Sequence, residues 1–490
     1  MALLLGIDLG TTGCKAAVYD EDGRLLGESY LEYGLITLSP TMIEQDAEAW
    51  WGLTCQAIAQ AMEAAHAPRE AVRGLAVSSQ GISFVLLDGQ SNVLGNAINW
   101  LDSRAFEESQ MILARYPEEK LFAITGKRAS PFYVLPKLLW LQRHRPDLWG
   151  KMRRVLMGHD YLVYRFCGKG VTDHSMAGGT MLYDLHTLDW SAELLDAFGI
   201  PREILPDICW AGEPVGTLRP EVAQELGLRP NVIVAVGGQD QKCAALGAGI
   251  QDGMATFSLG TASAITQIMD HPHVDPHMRV PTFTFVMPDR WVLEGVISTG
   301  AGSLRWYRDT ICPGTPYTVL DEEATRVPLG ADGVFFYPHL SGAGSPHWKS
   351  QSRGTFHGLS LATTRAHLTR AILEGVAYQM RENLAVTEEL AGQVREVIVF
   401  GGGAKSALWR EIIGDVINRP LAWTRTAETA NLGAAMLAGL GSGVFATLAQ
   451  ARAVMVGELV HRQPISEHAG IYARLYEEYR RIETTLMNQV

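Results

Sequence analysis

Residues 7–18 (IDLGTTGCKAAV) and 257–268 (FSLGTASAITQI) repeat one pattern: an apolar strand, Leu-Gly-Thr, a run of small residues and a second strand. A chain that opens twice in this way is constrained to two related domains, each beginning with a glycine hairpin. The boundary is placed near Cys243, giving domains 1–243 and 244–490, and 490 residues suffice for two such cores. Between the hairpins the pattern alternates strand and helix. DAEAWWGLTCQAIAQAMEAA, led by Asp46 as N-cap, sets Trp50, Leu53, Ala57, Ile58 and Ala61 on one helical face. VRGLAVSS (72–79), SFVLLD (83–88) and NVIVAVGG (231–238) read as strands, and Phe132 to Trp210 as mostly helical. In the second half REVIVFGGG (395–403) is a strand with a glycine turn, SALWREIIGDVI a helix, and the last segment a long helix. The expected class is α/β, with a mixed sheet flanked by helices in each domain.

Composition narrows the partners. The net charge is −12, from 41 Lys+Arg against 53 Asp+Glu. This argues against a nucleic-acid or anionic-membrane surface, since both require clustered positive charge. An anion held by backbone amides in a small pocket stays compatible with it. The six cysteines are scattered and form no C-x-x-C pair, which fits thiols in a reducing, cytoplasmic setting. MALLLGIDLG has a short apolar run that meets Asp8 at once; it reads as a first strand, not a signal peptide, and no apolar run is long enough to span a bilayer.

Four clusters can carry chemistry. In Asp8-Leu9-Gly10-Thr11-Thr12-Gly13, the glycines let the backbone turn with its amides exposed. Thr11 and Thr12 add hydroxyls, Lys15 can set a cation beside a phosphate, and Asp8 at a strand end can hold Mg²⁺. The second hairpin, with Gly260 and Thr261, repeats the device, so the two could grip one polyphosphate. The third cluster, Gly401-Gly402-Gly403-Ala404-Lys405-Ser406, is not a P-loop, because Val399 and Ala404 stand where glycines are required. A strand followed by glycines and a helix can instead pass flat beneath a purine ring, which makes Gly402, Gly403 and Ser406 candidate ATP contacts. The fourth is Gly237-Gly238-Gln239-Asp240-Gln241. Asp240 follows an apolar strand and can act as the base that phosphoryl transfer to a hydroxyl requires. It can equally be the N-cap of helix DQKCAALGA.

Paired phosphate hairpins belong to the actin-like ATPase superfamily, and from here the chain resembles the FGGY carbohydrate kinase family almost end to end. Phe132-Tyr133-Val134-Leu135-Pro136-Lys137-Leu138 is similar to the family's first signature. Gly354-Thr355-Phe356-His357-Gly358-Leu359, then His367-Leu368 and Ala371-Ile372-Leu373-Glu374-Gly375, is similar to its second. Trp100-Leu101-Asp102-Ser103-Arg104 looks like the Trp-x-Asp-x-Arg segment of the xylulokinase group. One departure stands out: Gln80-Gly81-Ile82-Ser83 occupies the place of that group's Gln-Met-His-Gly. The resemblance implies two actin-like (ribonuclease H-like) domains with an interdomain cleft, sugar mainly on the first and ATP mainly on the second. It implies Asp240 as catalytic base and Asp8, with Asp240, at the Mg²⁺ site. Sugar contacts are expected from Gln80, Gly81, Asp102, Asp240 and Gln241, and ATP contacts from Gly10, Thr11, Thr12, Lys15, Gly260 and Thr261. D-xylulose is the leading substrate, with pentitols, gluconate and glycerol as alternatives, and a homodimer is left open. The rival class, an actin-like ATPase with no small substrate, does not account for Asp240-Gln241 together with both signatures.

Overall fold

The computed structural model describes residues 2–424, 426 and 428–488. Two compact units emerge. The first comprises Met1–Gly249, Thr282–Trp291 and Glu428–Gly457; the second comprises Ile250–Pro281, Val292–Ala427 and Glu458–Val490. Both are discontinuous in sequence, whereas the halves 1–243 and 244–490 are not.

The first unit is built on a sheet in the order Pro214–Thr217, Ile233–Ala235, Val72–Ser79, Leu3–Leu9, Gly13–Asp20, Leu25–Glu32, with Gly238–Gln239 also pairing Val72–Ser79. Strand Leu3–Leu9 is apolar nearly throughout because both its faces are covered. Helix Ala47–Ala65 supplies Trp50, Ala57, Ile58 and Ala61 to the core on one face. Its N-cap is Asp46, which accepts from the Glu48 amide at 2.9 Å. On the other face lies helix Thr429–Gly441, close enough that a Cβ on Gly6 would stand 2.0 Å from the Asn431 carbonyl oxygen. SFVLLD does form a strand, Phe84–Leu87, but in a separate sheet with Arg154–Met157, Ala97–Ile98, Met42–Gln45 and Ile36–Ser39. The middle segment keeps its helices, including Val134–His144, Gly158–Cys167 and Ala192–Phe198, with short strands between them.

The second unit repeats the plan. Its sheet runs Trp291–Ile297, Ser263–Met269, Met254–Leu259, Glu396–Phe400, Leu421–Trp423, Val460–Arg462. Helix Arg365–Ala391 and the last helix, Ser466–Met487, contribute Tyr378, Tyr472, Tyr476 and Tyr479 to an aromatic core that also holds Phe335 and Tyr337. The second signature is explained here: Gly375 lies so near the chain that a Cβ would stand 2.1 Å from the Phe336 carbonyl, and buried Glu374 binds Arg370 and the Tyr472 hydroxyl at 2.8 and 2.9 Å. Among the described residues, no helix is long and apolar enough to cross a membrane.

Helix Asp240–Gly247 packs on helix Thr429–Gly441 through two glycines. A Cβ on Gly247 would stand 1.9 Å from the Thr429 carbonyl, and one on Gly433 would stand 2.0 Å from that of Cys243. Both obstacles are backbone, so neither can yield by a rotamer change. Gly433→Ala is therefore expected to cost about 1–3 kcal/mol, read as a lowered melting temperature. An unchanged melting temperature would show that the two helices can separate freely.

Candidate active site

Three parallel strand ends bring the first unit's candidate residues together. In register, Asp8 lies opposite Ser78 and Ser78 opposite Gly238, with Leu9, Ser79 and Gln239 one step further along. Strand neighbours are about 4.8 Å apart, so Asp8 and Gly238 are separated by about 10 Å across one continuous edge. The carboxyl ends of parallel strands are where α/β sheets place ligands. Gln80 and Gly81 follow the central strand, and Asp240 and Gln241 the third.

Each is held by neighbours. Ser78 Oγ donates to Asp8 Oδ1 at 2.8 Å. Burial raises the Asp8 carboxyl to about 6, against the opposing influence of the Ser78 hydrogen bond and of Lys15. Lys15 itself is ion-paired with Glu428. The Gln80 side-chain amide donates to Gln45 Oε1 at 2.9 Å, and Asn99 Nδ2 donates to Gln45 Oε1 at 2.7 Å and to Gln80 Oε1 at 3.2 Å. Lys137, from the first signature, is fully buried and donates to the Asn99 carbonyl at 2.8 Å; burial lowers its ammonium to about 7. Thus Lys137 anchors the segment that carries Asn99 and Trp100.

The N-cap alternative for Asp240 is resolved by the backbone. Gln239 is the cap, its side chain accepting from the Lys242 amide at 3.3 Å, and Asp240 is the first helical residue. Asp240 Oδ1 accepts from the Gln241 amide at 2.7 Å and from the Gln239 side chain. Upstream, the Gln239 amide donates to Ser175 Oγ at 3.0 Å and the Gly237 amide to His159 Nε2 at 2.9 Å. That bond places the His159 proton on Nδ1, facing Asp160 Oδ1 at 2.9 Å.

Asp102 is 0% exposed, and its oxygens accept from the Ile43 amide at 2.7 Å and from Arg104 Nη2 at 2.7 Å, bonds that position the loop around Trp100. At the departure Gln80-Gly81-Ile82-Ser83, the turn is tight: Ser83 N donates to the Gly81 carbonyl at 2.8 Å, and Ile82 has φ of +54°. A β-branched residue in the left-handed region is strained. Gly81 leaves room for the cap, since a Cβ there would stand 3.1 Å from Gln239 Cγ.

In both hairpins the turn carbonyls are engaged. In the first, Gly10 O accepts from the Tyr33 hydroxyl, Thr11 O from Gln45 Nε2 at 2.7 Å and Thr12 O from the Tyr33 amide at 3.0 Å. Trp100 Nε1 donates to Thr11 Oγ1 at 2.8 Å. In the second, Gly260 O accepts from the Ala301 amide at 2.8 Å, and Thr261 O from those of Gly300 and Gly302 at 2.9 and 3.1 Å. In a planar trans peptide the next N–H points opposite the carbonyl, so the amides of Thr11, Thr12, Thr261 and Ala262 turn away from these partners, as anion binding requires.

Within the second unit the glycine cluster packs against the second hairpin. Gly401, at φ of +93°, lies close to Leu259, and a Cβ on Gly403 would stand 3.2 Å from that of Ala301. Gly402 is exposed, with open space where its Cβ would be, which suits the flat approach of a ring. Ser406 caps helix Ala407–Ile417, accepting from the Trp409 amide at 3.1 Å. The reading of the sequence missed Gln45, Ser78, Asn99, His159, Ser175 and the segment 298–303. For the last, the run Ser-Thr-Gly-Ala-Gly-Ser leading into helix Gly302–Thr310 was an available signal.

The raised Asp8 carboxyl has a stability consequence. Its proton is held more tightly in the folded chain, about 6, than at the ordinary value of 3.8. Stability contributed by this group is therefore fully present below pH 4 and lost as pH rises to 6. Asp8→Asn should abolish that loss and melt higher than the parent above pH 6 in chelator. A variant that melts lower at pH 7.5 would contradict the desolvated carboxylate.

Residues 3–247 match the N-terminal domain, and residues 255–442 the C-terminal domain, of the FGGY family of carbohydrate kinases. The xylulose kinase of Bacillus subtilis (strain 168) is 31% identical, covering 99% of this chain and 97% of that protein. The gluconokinase of the same strain is 29% identical, covering 99% and 96%. The crystal structure of a xyloylose kinase from Brucella ovis matches with a TM-score of 0.92 and 30% identity, covering 100% of both chains. With both domains matched over most of its length, the chain belongs to the FGGY family of carbohydrate kinases.

Proposed function

We propose that this kinase transfers the γ-phosphoryl group of ATP to D-xylulose, giving D-xylulose 5-phosphate and ADP. The carrying observation is the strand edge that sets Asp8 and Asp240 on either side of the Gln80–Gly81 turn. The xylulose kinases among the relatives supply the choice of sugar.

In this reading Asp240 orients the acceptor hydroxyl and takes its proton as the new O–P bond forms and the bond from the γ-phosphorus to the β,γ-bridging oxygen breaks, releasing ADP. In the first unit the amides and hydroxyls of Gly10, Thr11 and Thr12 serve as phosphate contacts, with Lys15 adding positive charge; in the second unit Gly260 and Thr261 serve as phosphate contacts. Gly402 and Gly403 form the floor under the adenine. Asp8, with Asp240, would hold Mg²⁺, which would supply positive charge to offset that of the phosphates. Gln80, Gly81 and Gln241 contact the sugar, and Gln80 arrives pre-oriented by Gln45 and Asn99. All six cysteines are free thiols, which supports a cytoplasmic setting.

Ile82 presents an apolar side chain beside the sugar-binding turn, so recognition of xylulose should be broader than with a histidine there. In a coupled assay of ADP release, D-xylulose is expected to give the highest kcat/KM among ketopentoses, pentitols, gluconate and glycerol, with measurable turnover of at least one other ketopentose. High activity on gluconate or glycerol with none on D-xylulose would overturn the choice of substrate.

A further inference from the structure

The second unit contains a cluster of metal-ligating side chains that phosphoryl transfer does not use. Nε2 of His347 lies 3.1 Å from the Glu382 carboxylate and 3.9 Å from that of Glu483. One donor atom from each of the three residues lies within 4.8 Å of the others. Three distant segments bring them together: the loop after strand Phe335–Tyr337, helix Arg365–Ala391 and helix Ser466–Met487.

The supporting residues behave as those around a metal do. His339 Nε2 lies 3.0 Å from Glu483 Oε1, and Gln379 Nε2 donates to the same oxygen at 2.7 Å. Both hold one oxygen of Glu483 from behind and leave the other, Oε2, facing His347. Such orientation of a carboxylate ligand is the usual work of residues behind a metal site. Glu382 and Glu483 are buried, at 7% and 2% exposure, and His347 is the exposed member, at 28% for its side chain. Positive charge between two buried carboxylates this close stabilises their charged forms, and the half-open imidazole gives an ion a way in.

We propose that His347, Glu382 and Glu483 bind a divalent transition-metal ion of the zinc type, through one imidazole nitrogen and two carboxylate oxygens. Zinc accepts this donor set with Zn–N and Zn–O near 2.0–2.2 Å, which puts ligand atoms about 3.3–3.6 Å apart in a tetrahedral site. The two separations from His347, 3.1 and 3.9 Å, bracket that spacing, and all three donor atoms lie within 4.8 Å of one another, so side-chain adjustments assemble the site. A fourth position stays open toward solvent on the His347 side. The bound ion would fasten the last helix to helix Arg365–Ala391. The rival occupant of the same gap is the proton of a charged His347.

The test is zinc titration by calorimetry on the full-length protein, chelator-treated and then re-equilibrated with millimolar Mg²⁺ so that Asp8 is not open to zinc, without nucleotide and with melting temperature followed in parallel. The parent should bind one Zn²⁺ per chain and melt higher with it. His347→Ala and Glu382→Gln, each folded by circular dichroism, should bind at least tenfold more weakly and lose the rise. Asp8→Asn, altered in the other unit, should bind as the parent does. His347 is partly exposed, so its variant decides the matter alone if Glu382→Gln fails to fold. No binding by the parent, binding unchanged in His347→Ala, or binding lost in Asp8→Asn would each overturn the proposal.

Discussion

The register between three parallel strands is the constraint on which the first unit's site depends. Asp8 is aligned with Ser78 and Ser78 with Gly238, and the ladder hydrogen bonds permit no slip without turning every apolar side chain of these strands to the wrong face. Gly237 enforces the approach: a Cβ there would stand 1.9 Å from the Val77 carbonyl oxygen. Once that alignment is set, a carboxylate, a glutamine turn and a second carboxylate follow along one edge. The helix begun by Asp240 is then seated by Gly247 and Gly433 against its neighbour.

The two glycine hairpins solve one electrostatic problem by different means. A turn that binds an anion must keep its carbonyls out of the way. The first hairpin uses side chains from elsewhere in its unit, Tyr33 and Gln45, for two of its three carbonyls. The second uses main-chain amides of Gly300, Ala301 and Gly302. The repeat in sequence thus preserves the turn and its purpose, while the supporting residues have no counterpart between the halves. Gln45 has a further part, since it also receives Gln80 and Asn99, tying the Gly10–Gly13 turn to the Gln80–Gly81 turn within the first unit.

What was legible in the sequence was local. Hairpins, strand ends, the cap at Asp46 and the long terminal helix are written in glycine punctuation and apolar period, which act over a few residues. Contacts across long separations were not. Gln45 meets Gln80 and Asn99, which lie 35 and 54 positions on, and His159 meets Gly237, 78 positions on. No spacing rule links such pairs. Nor does a Trp-x-Asp-x-Arg segment reveal that its aspartate also receives the Ile43 amide, 59 positions away, beside its own Arg104. The position of Asp240 turned on one residue, because Gln239 caps the helix in its stead.

The central claim is that Asp240 is the base at this strand edge, and its isosteric replacement tests that most directly. Asp240→Asn keeps the size of the side chain, and Gln239 keeps the helix cap, so fold and ADP affinity measured without Mg²⁺ should be unchanged. The measurement is kcat with D-xylulose and Mg²⁺-ATP, taken on the same preparation as the melting temperature and ADP affinity. The account predicts a fall on the order of 10²–10⁴ in kcat with the other two preserved. Near-normal kcat would contradict it.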